Sequence, residues 1–186
     1  VDEVVKGIRK QIEKIVWQGD TTLGIDGLLK MAASGGTDSA STVNVSIAKG
    51  TNIYEAVKAV YLAIPEGLLD KAFIGLSPAN FRAFTQAMVE KNYYHYSGPQ
   101  DANVNEFIFP GSNVKVKSIQ GLSGVNDKIY ASVWDNLVYG TDLLNDEEVV
   151  NAWYDPNTEL FRYTIRFNAG VSTLFPDEVV LGTIAA

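Results

Sequence analysis

The amino-acid sequence predicts an α+β fold in which two to three helices pack on a mainly antiparallel sheet. In the first half, two stretches with apolar residues at helical spacing flank one short, wholly apolar segment. Past Lys91 the period falls to two, and two alternating segments are joined by Asp155-Pro156-Asn157-Thr158, the signature of a β-hairpin. No internal repeat or low-complexity tract interrupts the 186 residues, and the length suits a single domain over 1–186, or one domain with a small appendage.

The elements follow in order. Val4, Val5, Ile8, Ile12, Ile15 and Val16 lie at helical spacing, with Lys6, Arg9, Lys10, Glu13 and Lys14 on the other side, so a first amphipathic helix is expected. Gly7 weakens it and Gly19 is placed to stop it. Residues 20–50, rich in Gly, Ser and Thr, read as a partly exposed connector with a short strand near Thr42 to Ile47. Asn52 followed by Glu55 reads as a variant capping box that opens a second helix, with Ile53, Val57, Val60, Tyr61 and Ile64 on one face, and Pro65 ends it. Ala72 to Leu76 reads as a strand buried on both faces. Ser77-Pro78 then opens a third helix whose buried stripe is Phe81, Phe84 and Met88. Tyr93 to Gly111 reads as a loop. Asn113 to Ile119, Lys128 to Trp134, Val149 to Tyr154, Leu160 to Phe167 and Phe175 to Leu181 read as strands, the last with Pro176 at its start.

Composition narrows the function. Hydrophobic residues make up 46% and charged residues 20%, and no apolar run is long enough to cross a membrane. Cysteine is absent, which removes disulfides and thiolate metal sites. A net charge of −7 argues against a general nucleic-acid-binding surface. His95 stands alone among tyrosines, with no second imidazole and no nucleophile motif, and reads as a packed loop residue. Asp142, Asp146, Glu147 and Glu148 suggest calcium, but Glu147 occupies the position where a calcium-binding loop requires glycine. Gly24-Ile25-Asp26-Gly27 has the wrong spacing for a dinucleotide fingerprint, and the triplet Asn44-Val45-Ser46 lacks a secretory context. No catalytic residue, metal ligand or cofactor site is therefore expected.

Five stretches nevertheless have a recognisable look. They are Ile15-Val16-Trp17-Gln18-Gly19-Asp20 followed by Gly27-Leu28-Leu29; Phe73 to Phe81; Phe109-Pro110-Gly111-Ser112 to Val116; Asn136 to Asp142; and Gly170 to Val180. In this order and spacing they resemble the major capsid proteins of tailed bacteriophages and prophages. The resemblance implies an axial domain plus part of the peripheral domain, with the end of a spine helix and a connector over 1–50 and the axial domain with returning strands over 51–186. It places the family's N-terminal arm, extended loop and most of the spine helix before the point where this sequence starts. A chain without those lapping parts is expected to be a monomer or weak oligomer at micromolar concentration.

What the resemblance implies is a structural subunit of a phage or prophage shell, not an enzyme, located in the virion and in the bacterial cytoplasm during assembly. Its partners would be other copies of itself in rings of five or six, and scaffold or portal proteins, with no specific nucleic-acid or membrane binding. The segment Tyr93 to Gly111 is the candidate axial loop. Two rival readings have their own signatures. A protein- or carbohydrate-recognition module would gather Trp17, Trp134 or Trp153 in an exposed groove, and a hydrolase would converge two carboxylates in a pocket.

Overall fold

In the computed structural model, residues 2–93, 105–140, 149–156, 158–166 and 170–185 are described. The described residues form four α-helices: α1 (Asp2–Gln18), α2 (Leu28–Ala32), α3 (Ile53–Ala63) and α4 (Pro78–Glu90). The strands are β1 (Val43–Ile47), β2 (Ala72–Leu76), β3 (Glu106–Ile108), β4 (Lys115–Ser118), β5 (Lys128–Val133), β6 (Leu137–Gly140), β7 (Val149–Asp155), β8 (Leu160–Arg166), β9 (Gly170–Thr173) and β10 (Val180–Ile184). Six of them form one sheet in the order β1-β10-β5-β2-β4-β3, while β6-β9 and β7-β8 form two separate ribbons. Within the main sheet β1 runs parallel to β10 and β2 parallel to β4. The other pairings, including both ribbons, are antiparallel.

The alternation of strand side chains divides the core into two layers. On one face Ile74, Leu76, Val116, Ile129, Ala131 and Val180 meet Val57 and Val60 of α3 and Phe81, Phe84 and Met88 of α4. On the other face Phe73, Tyr130 and Leu181 meet Trp17 of α1 and Leu28, Leu29 and Ala32 of α2. β2 is buried at all five positions because helices cover both of its faces, as its unbroken apolar run requires. The two helices on the first face start as their sequences dictate. Asn52 Oδ1 accepts from the Tyr54 N–H at 2.9 Å, and Ser77 Oγ accepts from the Asn80 N–H at 3.3 Å. Glu55 does not complete a capping box. It lies 3.8 Å from both Lys58 and Lys91.

Three sequence expectations need correction. The connector over 20–50 contains α2, whose Leu28, Leu29, Met31 and Ala32 are buried. Five residues are too few to display a helical period, and Gly27 supplies no side-chain cap. The loop expected over Tyr93 to Gly111 contains β3 at Glu106–Ile108; residues 94–104 lie outside those described. The last strand begins at Val180 rather than Phe175, because Pro176 opens a single 3-10 turn ending at Glu178.

Tyr130 is fully buried, its ring edge-on to Trp17 at 5.3 Å. Its hydroxyl has no hydrogen-bond partner among the described residues, and burial, with the charge of Asp38 adding, pushes its pKa well above the usual tyrosine range. Tyr130→Phe removes no protein hydrogen bond and keeps the packing. It is expected to leave stability unchanged or to raise it by up to about 1 kcal/mol in urea denaturation, since an unpaired buried hydroxyl is itself a penalty. A loss above about 1 kcal/mol would show that the hydroxyl is held by a bond of its own.

Candidate assembly surfaces

Among the described residues, those that could have signalled chemistry do not gather. His95, Asp142, Asp146, Glu147 and Glu148 lie outside the described residues. Gly24 and Gly27 belong to the turn between α1 and α2, and Asn44 to Ser46 lie in edge strand β1. The tryptophans are dispersed. Trp17 is 5% exposed in the core, Trp134 lies flat on Phe73 with ring centroids 3.9 Å apart, and Trp153 is 46% exposed on β7. Neither of the two clefts described is lined by a tryptophan or a carboxylate. One, of about 360 Å³, is bordered by Ser34, Ser39, Asn44, Val45, Ser46, Lys128 and Thr183. The other is a narrow apolar seam between α1 and the β6-β9 ribbon, bordered by Ile12, Ile15, Val16, Ile25, Tyr139, Gly170 and Val171. Among the described residues no group of three His, Asp or Glu side chains is arranged to hold a metal ion.

Surfaces are better developed than pockets. The β7-β8 hairpin forms its own two-stranded sheet, and neither buried core cluster draws a described side chain from it. Its register opposes Tyr154 to Phe161, Ala152 to Tyr163 and Val150 to Ile165. The Tyr154 and Phe161 rings meet at 5.2 Å and remain 50% and 68% exposed. Asp155 pairs with Arg162 at 3.0 Å. A two-stranded hairpin is marginal in water without a third layer, so an exposed aromatic face on one is a surface short of a partner. The β6-β9 ribbon adds exposed Val138 and Tyr139, and Leu174 and Phe175 follow it.

That ribbon is anchored by one side chain that the sequence did not single out. Asn136 is 2% exposed; its Nδ2 donates to the Phe175 carbonyl at 2.8 Å and its Oδ1 accepts from the Phe175 N–H at 2.7 Å. A side-chain amide matching a backbone amide in this way fixes where the chain returns to β10, and only the folded chain brings the two positions together.

The candidate axial loop is rooted on aromatics. Tyr54 stacks on Phe84 and Phe109, Tyr61 stacks on Phe109 at 4.6 Å, Tyr93 lies 6.0 Å from Tyr54, and the Lys91 ammonium sits 4.7 Å from the Tyr54 ring. Burial, the neighbouring Tyr93 and then Glu55 raise the Tyr54 pKa. Both feet of the segment thus stand on packed rings. The sheet edge at β3 is guarded by charge. Glu106 reaches Lys117 at 2.9 Å and Lys115 at 3.1 Å, and its hydrogen bonds to these two ammonium groups hold its carboxyl below the usual range. Charged edge strands resist open-ended strand pairing.

No family model and no curated protein matches the sequence. Solved structures do. The capsid of an empty GTA particle, computed with C5 symmetry, superposes with a TM-score of 0.60 at 12% identity, over 100% of this chain and 65% of that one. The holo-SrpI encapsulin complex from Synechococcus elongatus PCC 7942 gives 0.59 at 13% identity, over 98% and 63%. Mycobacterium phage Che8 gives 0.54 at 9% identity, over 76% and 53%. The chain thus has the fold of capsid and encapsulin shell proteins, and it spans between 53% and 65% of the length of the chains it matches.

Proposed function

We propose that the chain is a structural subunit of a bacteriophage or prophage capsid shell and acts through contacts with other copies of itself. The observation that carries this reading is the match of a shell-protein fold over the whole of this chain. The free aromatic face of the β7-β8 hairpin supports it, as a subunit needs apolar patches that its own core leaves uncovered. On this reading the chain is one capsid-like domain with no catalytic residue, cofactor or metal. It resides in the virion after assembly in the bacterial cytoplasm, and scaffold and portal proteins are its further partners.

The similarity to an encapsulin favours a second reading, an encapsulin-type shell. Particles recovered from cells distinguish the two. Shells that protect DNA from nuclease support the phage reading, and shells without protected DNA support the other.

Self-association of the chain tests the common premise. In sedimentation velocity the chain is expected to be largely monomeric at micromolar concentration and to associate progressively as concentration rises. Phe161→Asp should weaken that association about tenfold while leaving the melting temperature of the core unchanged, since Phe161 contributes nothing to either core cluster. A tight closed dimer would count against a shell, because a closed twofold contact leaves no surface from which to grow.

A further inference from the structure

The first helix carries a set of charges that no described side chain pairs with. Lys6, Arg9, Lys10 and Lys14 are all exposed, and at about 100° per residue they fall within about 140° of the α1 circumference. None of the ion pairs formed by the described side chains involves Arg9, Lys10 or Lys14. Glu13, the carboxylate best placed to neutralise this face, is turned to the body instead and accepts from the Gly121 N–H at 3.0 Å. Lys6, Lys10 and Lys14 also follow one another at i,i+4, a like-charge spacing that destabilises an isolated helix. The arrangement is unfavourable for a lone subunit and is relieved by an anionic neighbour.

The same chain supplies one. Outside α1 it carries 11 Lys and Arg against 19 Asp and Glu, a net charge of −8. Much of the excess collects at one end of the main sheet. The register of Ala72 with Val133 and of Ala131 with Val180 brings the start of β2, the end of β5 and the start of β10 together there. The three connections at that end hold Glu66 and Asp70, Asp135, and Asp177 and Glu178; Lys71 lies among them, and the Lys117 ammonium sits 5.4 Å from the ring of Trp134, the neighbour of Asp135. Asp70, Asp135 and Asp177 are exposed, and no ion pair neutralises any of the five acids. Opposite charges sit on two distinct patches of one molecule, and neither patch is paired with the other within it.

We infer that the basic face of α1 docks on the acidic sheet end of a second copy of this chain. This deepens the shell reading and rests on it. Because the two patches differ, the contact is heterologous: each copy offers one patch forward and the other backward, so copies form a ring where the rotation closes. The ionic contact sets register and encounter rate, and the apolar hairpin supplies adhesion.

The test is sedimentation of the chain at high concentration across a salt series, with two sets of charge reversals. Lys10→Glu combined with Lys14→Glu keeps a like-charge pair between 10 and 14 and makes the pair with Lys6 an attractive one, so the helix is not weakened, and Asp135→Lys combined with Asp177→Lys alters exposed turns only. Wild type should associate at low salt and dissociate as salt rises. Each reversed pair should weaken association about tenfold or more, and mixing the two variants should restore it, because the reversed patches complement each other. Association of wild type that is indifferent to salt and to both reversals overturns the inference while leaving the shell reading standing. No association at any salt overturns both. Capture of duplex DNA through Lys10 and Lys14, with no salt-sensitive self-association, assigns the face to phosphates instead and overturns the inference.

Discussion

Phe84→Ala is expected to destabilise the chain by about 3–5 kcal/mol, seen in urea denaturation as a large fall in midpoint with little change in slope. Phe84 is fully buried and is the point where α4 meets both α3 and the sheet. Its ring stacks on Tyr54 at 6.3 Å, and Tyr54 stacks in turn on Phe109, at the far foot of the candidate axial loop. Truncation therefore removes a large apolar contact, opens a cavity between α4, α3 and the sheet, and loosens the base of the loop. A loss under about 1 kcal/mol would mean that the α4 face is not packed as described.

That residue was legible in the sequence, and so was most of its layer. Asn52 and Ser77-Pro78 are local signals that fix where two helices begin, and the stripes behind them name their buried faces without knowledge of any partner. Ala72–Leu76 announced itself because a strand covered on both faces has no polar alternation to disguise it. The hairpin was legible for the opposite reason, an alternation with a turn between its arms.

What stayed hidden was everything decided at long range. α2 is too short for periodicity, and the partners that bury it, Trp17 of α1 and Phe73, Tyr130 and Leu181 of the sheet, come from distant parts of the chain. β6 pairs with β9 across the whole hairpin excursion, a closure that no local pattern encodes, and it depends on Asn136 meeting Phe175. The surfaces were harder still. Asp70, Asp135 and Asp177 are unremarkable singly and become one patch only through strand register. The basic side of α1 was visible as a helix face, but its lack of partners was not, since Glu13 sits at the right spacing and is drawn away by the Gly121 N–H. A shell subunit poses this problem in general: its function lies in patches assembled by the fold, whereas sequence motifs report sites built from neighbours in the chain.

The direction in which α1 leaves the body is set by contact between backbones, and it leads to the second large effect. A Cβ at Gly27 would stand 2.2 Å from the Gly19 nitrogen, 2.5 Å from the Gln18 carbonyl carbon and 2.7 Å from the Trp17 carbonyl oxygen. None of these atoms can swing aside as a side chain could. Gly27 has φ −77°, a conformation open to any residue, so the cost of Gly27→Ala is steric and not torsional. To accept the methyl, α2 must move off the end of α1, and Leu28, Leu29 and Trp17 lose their seat against Phe73 and Tyr130. Overpacking against side chains costs about 1–3 kcal/mol, and against rigid backbone about 3 kcal/mol or more is expected. Gly7→Ala is the internal control: its Cβ meets nothing within 4 Å on an exposed stretch of α1, and helix propensity alone should raise stability by up to about 1 kcal/mol. The same one-carbon change, made twice on either side of the last turns of α1, should thus act with opposite signs in a single denaturation series. If Gly27→Ala stays within about 0.5 kcal/mol of wild type, the two helices do not meet backbone to backbone, and the orientation of the basic face must be fixed by something else.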